Sequence, residues 1–162
     1  MKKVGIVMGS DSDLPVIQKA IAILNELEIP FEVHVFSAHR TPEQARTFSL
    51  EARDKGFGVL IAAAGMAAHL AGAIAANTTL PVIGIPCKGP VLDGLDALLS
   101  TVQMPSGIPV ATVGVNNGAN AALLAAEILS VGNAELTQRL QLKRERDTAA
   151  VLEKDAGIAA RL

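Results

Sequence analysis

Apolar residues along the chain form short continuous runs, which alternate with longer stretches where apolar residues recur every three or four positions. A short continuous run bounded by turn residues predicts a buried strand, and the wider spacing predicts a helix. The predicted strands cover residues 4–8, 32–36, 58–63, 81–86 and 109–115, and the helices that follow them cover residues 14–27, 42–55, 67–76, 92–102 and 120–131. Strand and helix therefore alternate five times along the chain.

The predicted strands are apolar along their whole length rather than at every second residue. Strands of this kind are buried on both faces, which is typical of a parallel sheet covered by helices. Right-handed crossovers place those helices on both sides of the sheet. We therefore expect an α/β fold, a three-layer α/β/α sandwich around a five-stranded parallel sheet, formed by residues 1–133.

The last thirty residues or so differ from the rest of the chain in their high charge. Within them, residues 135–154 carry a sparse apolar stripe made of Leu136, Leu140, Val151 and Leu152. This pattern predicts an amphipathic helix inside a C-terminal helical extension, residues 134–162. The helix is either a solvated terminal helix or one that packs on its own domain or on a neighbouring subunit.

Length and composition favour one domain with a core of small aliphatic side chains. The chain has 162 residues, half of them hydrophobic, with 2% aromatic residues and neither Trp nor Tyr. A chain of this length is typical of a single domain. Its hydropathy is high for a monomer, which suggests that some apolar surface is buried between subunits.

Charge and composition also exclude several classes of partner. The net charge is −2, from 14 basic and 16 acidic residues, so the basic surface of a nucleic-acid binder is missing. Aromatic side chains for base stacking are missing too.

No run approaches the roughly 20 apolar residues that span a bilayer, and the N-terminal run is too short for a signal peptide. The single cysteine, Cys87, rules out an intrachain disulfide framework, and a cytoplasmic location is the simplest expectation.

In open parallel sheets, ligands bind beyond the carboxyl ends of the strands. The loops in these positions after the first three strands read GSDSD (9–13), SAHR (37–40) and AAGMAAH (63–69). If the strands follow the common order 2-1-3-4-5, these three strands are neighbours. The three loops then converge on one site.

The first of these loops has two interpretations. Ser12 or Asp13 can act as the N-cap of the following helix. Alternatively, the free amides and the positive helix end suit a phosphate, and a carboxylate suits ribose hydroxyls. The loop matches neither GxGxxG nor a P-loop.

The second loop holds a histidine and an arginine that helix formation does not explain. Thr41 is expected to cap the next helix, with Pro42 at its first position and Gln44 completing a capping box. Arginine can clamp a phosphate or carboxylate with two hydrogen bonds. Histidine can give or take a proton near neutral pH. Arg40 and His39 are therefore candidate binding and catalytic residues.

The other histidines and the cysteine carry weaker signals. His69 lies in the first turn of the predicted third helix and serves either packing or the site. His34 lies within a strand and is interpreted as structural. Cys87 is interpreted as a packed thiol rather than a nucleophile. Because the three histidines are scattered and no HxH, HExxH or CxxC spacing occurs, we expect no metal site.

Two other uses of this fold are disfavoured by the residues at the strand ends. A phosphoacceptor receiver domain needs acidic residues after strands one and three and a lysine after strand five, but here the third strand ends in Ala-Ala-Gly and the fifth in VNNG. A flavin binder usually stacks its ring on Trp or Tyr, and the chain has neither.

The motifs GSDSD, SAHRTP and GMAAHLAG, together with the long run from LDGLDALL to AAEIL, resemble the PurE family over about residues 4–129. The match is strongest to its bacterial-type branch. This resemblance implies a flavodoxin-like fold, a homo-octamer and a small-molecule nucleotide substrate. It implies an isomerase that interconverts N5-carboxyaminoimidazole ribonucleotide and 4-carboxy-5-aminoimidazole ribonucleotide in purine biosynthesis, with neither metal nor ATP as cofactor.

The resemblance also implies roles for individual residues. The SAHR histidine is the family's acid/base, which gives His39 that role, and the AAHL histidine adds His69 to the site. The residues it implies for substrate binding are Ser10, Asp13 and Arg40, with Ser12, Ser37 and Gly65 as weaker candidates.

The chain departs from the family pattern in two places. Met66 and Ala71 stand where the family loop often has Gly and Pro, and residues 87–92 differ from the expected segment. Met66 is strained if that position needs a positive φ.

Two alternatives accompany the mutase interpretation. One is the animal-type branch, which carboxylates aminoimidazole ribonucleotide with free carbon dioxide, although the AAHL histidine argues against it. The other is a nucleotide-binding or assembly module without activity.

Overall fold

The five apolar runs pair into one parallel sheet in the computed structural model, which describes residues 1–159. The strands are β1 (Lys3–Met8), β2 (Phe31–Val35), β3 (Phe57–Gly65), β4 (Val82–Cys87) and β5 (Ala111–Thr112). Their order across the sheet is β2-β1-β3-β4-β5, which confirms the expected order. The carboxyl ends of β1, β2 and β3 are therefore neighbours.

Helices cover both faces of the sheet and complete a three-layer, flavodoxin-like α/β/α fold. They are α1 (Leu14–Glu26), α2 (Pro42–Glu51), α3 (Leu70–Ala75), α4 (Leu95–Val102), α5 (Gly118–Ser130) and α6 (Ala134–Ala159). Helices α1 and α5 pack on one face of the sheet, and α2, α3 and α4 pack on the other. None of the described helices is both long and apolar enough to cross a membrane.

Small side chains let helices α1 and α5 approach closely. A Cβ atom built on Gly118, at the start of α5, would lie 2.1 Å from the carbonyl oxygen of Val16 in α1. The alanines of α5 that face the sheet, Ala121, Ala122, Ala125 and Ala126, are fully buried. The alanine-rich composition therefore serves close packing between helices.

Strands β2 and β5 differ from the predicted fully buried strands because they are the two edges of the sheet. Residues of β2 are only partly buried, and its Glu32 forms an ion pair with Lys3. His34 stacks on Phe36 with ring centroids 5.0 Å apart, in agreement with a structural role. β5, which pairs with β4, is shorter than the predicted 109–115, and Pro109, which has no N–H to donate, lies before its start.

The first half of α6 is docked on the domain. Leu136 is fully buried, and Arg139 donates from Nη1 to the carbonyl oxygen of Leu27 at 2.6 Å. Residues 144–158 of the helix are all exposed, including Val151 and Leu152. The predicted apolar stripe is thus divided into a buried and a free part. Residues 160–162 of the predicted extension lie outside the described residues.

Candidate active site

One pocket of about 550 Å³ lies where the loops after β1, β2 and β3 meet. The convergence expected from the strand order is therefore present in the structure. All the residues that the sequence analysis proposed for the site line this pocket, namely Ser10, Ser12, Asp13, Ser37, His39, Arg40, Gly65 and His69.

The loop after β1 is closed by its own serines. Ser10 Oγ accepts the backbone N–H of Ser12 at 3.3 Å and the Ser12 hydroxyl at 2.9 Å. This caps a short 3-10 turn, Asp11–Asp13, that leads into α1. Asp13 occupies the N-cap position of α1, but its carboxylate makes no capping bond. The predicted N-cap position of Asp13 is therefore correct, but Ser10 makes the capping bond in the turn before it, and Ser12 does not cap.

Burial raises the pKa of the Asp13 carboxyl, against the lowering effect of a hydrogen bond with the Cys87 thiol. Burial also raises the pKa of Cys87 to about 12, and the nearby Asp13 charge adds to this effect. The thiol therefore stays protonated at neutral pH, which agrees with a packed thiol rather than a nucleophile.

The loop after β2 is a tight turn organised by Ser37 and Thr41. Ser37 Oγ accepts the backbone N–H groups of His39 at 3.3 Å and Arg40 at 3.2 Å. Thr41 occupies the N-cap position of α2 with Pro42 at the first helical residue, as predicted, but its Oγ1 accepts the Ser37 N–H at 2.8 Å and makes no capping bond. These bonds fix the backbone that carries the histidine and the arginine, and leave both side chains free to face the pocket.

Arg40 ties two of the loops together. Its Nη2 donates to the carbonyl oxygen of Gly9, at the end of β1, at 3.1 Å. A guanidinium has five N–H donors, so most of them stay available to an anion in the pocket. Arg40 is exposed, and the pocket is open to solvent on its side.

The two site histidines face each other across the pocket. The ring centroids of His39 and His69 are 6.4 Å apart and the ring planes differ by 17°. His69 immediately precedes α3 instead of lying in its first turn, since α3 begins at Leu70. Both side chains are exposed in the single chain.

Strained backbone is concentrated in the loops that follow the sheet's carboxyl edge. Met66 after β3, Asp93 after β4 and Asn116 after β5 have φ angles of +56°, +52° and +56°. The expected strain at Met66 is therefore present. A Cβ atom built on Gly89 would lie 3.6 Å from Met66 Cγ, so the two segments that depart from the family pattern contact each other.

The sequence analysis missed the contribution of the loop after β4. Lys88, Gly89 and Pro90 also line the pocket. The backbone N–H of Lys88 donates to Asn116 Oδ1 at 2.8 Å, and its Nζ lies 3.0 Å from Asp93 Oδ1. The strand order contained the necessary signal, because β4 is adjacent to β3.

The fold and the pocket together define a flavodoxin-like α/β protein with a small-molecule site at the carboxyl edge of its sheet. The site combines a guanidinium, a carboxylate and two imidazoles. Among residues 1–159, no group of three or more His, Cys, Asp or Glu side chains is arranged to hold a metal ion.

The family model for AIR carboxylase matches residues 3–150, so this chain belongs to that family and the resemblance to PurE is confirmed. N5-carboxyaminoimidazole ribonucleotide mutase of Pyrococcus abyssi is 55% identical over 90% of this chain and 83% of its own length. Phosphoribosylaminoimidazole carboxylase of Saccharomyces cerevisiae is 50% identical over 93% of this chain, but the match covers 27% of that longer protein. Among solved structures, Treponema denticola PurE is 31% identical, with a TM-score of 0.82 over 95% of this chain and 96% of its own.

Proposed function

We propose that this chain interconverts N5-carboxyaminoimidazole ribonucleotide and 4-carboxy-5-aminoimidazole ribonucleotide, with His39 as the residue that moves the proton. The observation that carries the proposal is the pocket, which sets His39 and Arg40 opposite the Ser10–Asp13 loop in a chain 55% identical to a mutase of that name. The reaction is an isomerisation, so no atom is gained or lost overall.

Arg40 is the proposed anchor for the nucleotide phosphate. Its position beside Gly9 brings the guanidinium to the same loop as the Ser10 and Ser12 hydroxyls. Hydrogen bonds from a guanidinium to phosphate are charge-assisted and fix orientation as well as affinity. The Asp13 carboxylate, which makes no cap bond, suits the ribose hydroxyls.

The proposed reaction needs one proton to leave and return. His39 donates a proton to the exocyclic nitrogen as its bond to the carbamate carbon breaks, and carbon dioxide forms. C4 of the aminoimidazole then attacks that carbon dioxide, and the new carbon–carbon bond leaves a proton on C4. His39, now neutral, removes this proton and returns to its starting state. The His69 ring faces the His39 ring, and we propose that His69 positions the His39 imidazole.

Replacing His39 with Asn tests the assignment. We expect turnover to fall by about 100-fold to 10,000-fold, the range of general acid–base contributions, while nucleotide binding persists. His34→Asn is the matched control, because His34 lies on β2 and does not line the pocket. A His39→Asn enzyme with near-normal turnover would remove His39 from the mechanism.

The second candidate function is carboxylation of aminoimidazole ribonucleotide by free carbon dioxide. The Saccharomyces cerevisiae relative bears the name of such an enzyme, but the match covers only about a quarter of that longer protein, so the name does not favour this function over the mutase. A carbon-13 label in the carbamate separates the two. A mutase carries the label to C4 in excess unlabelled bicarbonate, whereas a carboxylase loses it to the solvent pool. No product by either route would leave a binding or assembly module.

A homo-octamer in the cytoplasm completes the proposal. Self-association, though not the number of subunits or the location, is supported by an exposed apolar stripe along α4 and the loop before it, formed by Val91, Leu92, Leu95, Leu99 and Val102. A stripe of this kind is typical of a surface that another subunit covers. Sedimentation should give a mass of eight chains, and Leu99→Asp should give smaller species. A wild-type monomer would contradict the assembly.

A further inference from the structure

Lys88 is the pocket cation that the mechanism above does not use. Its backbone is fixed, because its N–H donates to Asn116 Oδ1 at 2.8 Å and the Asn116 N–H donates to the Pro86 carbonyl at 2.9 Å. Its side chain is 58% exposed and contacts Asp93, which is 80% exposed. A surface ion pair of this kind is worth little and exchanges partners readily. The backbone is therefore held while the ammonium group is free to move.

Lys88 and Arg40 stand at opposite walls of the pocket. Arg40 follows β2 and Lys88 follows β4, and β1 and β3 lie between these strands. With strands about 4.8 Å apart, the two strand ends are separated by about 14 Å. Gly65 is the register partner of Cys87. Lys88, the next residue, therefore lies beside the loop that carries Met66 and His69.

The charges of the proposed nucleotides favour a second cation in this pocket. The nucleotides of the proposed reaction carry a phosphate at one end and a carboxylate at the other. The lining residues with a permanent positive charge are Arg40 and Lys88, while Asp13, which shares a hydrogen bond with Cys87 at the end of β4, adds a negative group near Lys88. An anionic group far from Arg40 would otherwise lie in a pocket with no permanent opposite charge near it.

We propose that Lys88 binds the carboxylate that is transferred, as the carbamate in one nucleotide and as the C4 carboxylate in the other. This inference rests on the proposed function. Lys88 leaves Asp93 when the carboxylate arrives and returns to it when neutral carbon dioxide forms. Lys88 is therefore a specificity residue that distinguishes carboxylated from uncarboxylated nucleotide.

Calorimetric binding of two nucleotides tests the proposal. For Lys88→Gln we expect 4-carboxy-5-aminoimidazole ribonucleotide to bind about 10-fold to 100-fold more weakly, the effect of losing one charge-assisted hydrogen bond. Aminoimidazole ribonucleotide, which lacks the carboxylate, should bind within about twofold of wild type. Lys88→Arg should keep most of the preference. Asp93→Asn should increase the affinity for the carboxylated nucleotide only, because Lys88 loses the carboxylate that competes for it.

Lys55→Gln is the matched control, since Lys55 is 55% exposed, is paired with Glu51 and does not line the pocket. Equal weakening of both nucleotides by Lys88→Gln, or no weakening of either, would overturn the proposal. Wild-type turnover is measured separately. A wild-type chain without turnover that still binds both nucleotides would refute the proposed function, while the binding comparison would still decide the role of Lys88. Binding of neither nucleotide would overturn both.

Discussion

Gly118→Ala tests the close packing that holds the first helix in place. The new Cβ would lie 2.1 Å from the Val16 carbonyl oxygen and 3.1 Å from its carbon, whereas Cβ atoms essentially never come within 3.0 Å of another atom. The neighbouring atoms belong to backbone and cannot rotate away. Helices α1 and α5 must therefore separate by about 1 Å, because repulsion rises steeply at such distances.

The expected cost is at the upper end of that for overpacked cores, about 2–3 kcal/mol of the free energy of unfolding. For a domain of this size that lowers Tm by about 4–12 °C. Val16 lies three residues after Asp13, so the shift also moves the loop after β1 that lines the pocket. A misplacement of about 1 Å can reduce kcat/KM by up to about 100-fold. Urea unfolding at one fixed protein concentration and steady-state kinetics measure the two effects.

Gly157→Ala is the control for this experiment. No atom lies within 4 Å of a Cβ at Gly157, which is exposed in α6. Alanine should stabilise that helix by up to about 1 kcal/mol. If Gly118→Ala were as stable as wild type, the two helices would not pack as closely as described, and the geometric argument would be refuted.

Two further substitutions test the electrostatics and the strain of the site. Burial raises the pKa of Asp13, so its contribution to stability is full below the ordinary carboxyl pKa of about 3.9 and is lost as pH rises through the folded-state pKa. Asp13→Asn should therefore raise Tm at pH 7 but not near pH 3, and should weaken nucleotide binding; an equal shift at both pH values would contradict this cause. Met66→Gly should relieve the positive φ and stabilise by up to about 1 kcal/mol in urea unfolding, and a loss of stability would mean that the Met66 contact with Gly89 outweighs the strain.

The sequence was sufficient to predict the sheet and the meeting of its loops. Continuous apolar runs signal strands buried on both faces, and the strand order follows from a short list of allowed topologies. Once that order is known, residues 9–13, 37–40 and 63–69 must converge, because parallel strands end at one edge. His39 and Arg40 were identifiable as site residues because they lie in one of these loops and helix formation did not account for them.

Hydrogen-bond partners were harder to predict, because several local partners compete for each polar side chain. Thr41 has the sequence context of a helix cap, yet its hydroxyl binds Ser37 four residues earlier. Ser10, rather than Ser12 or Asp13, caps the turn before α1. The position of Lys88 at the pocket follows from the adjacency of β4 to β3, but the bond from its N–H to Asn116, 28 residues away, does not. Such choices depend on tertiary distances that periodicity does not contain.

The exposure of the two site histidines connects the proposed chemistry to the proposed assembly. Carbon dioxide held between two half-reactions must not escape, so a pocket open to solvent in the single chain needs a cover. The loop after β4 carries Lys88 on its pocket side and exposes Val91 and Leu92, which continue into the apolar stripe of α4. A subunit that covers the stripe would therefore also fix this loop over the pocket. In that arrangement the proposed octamer would act in catalysis as well as in stability, because the same loop would contact the neighbour and the carboxylate.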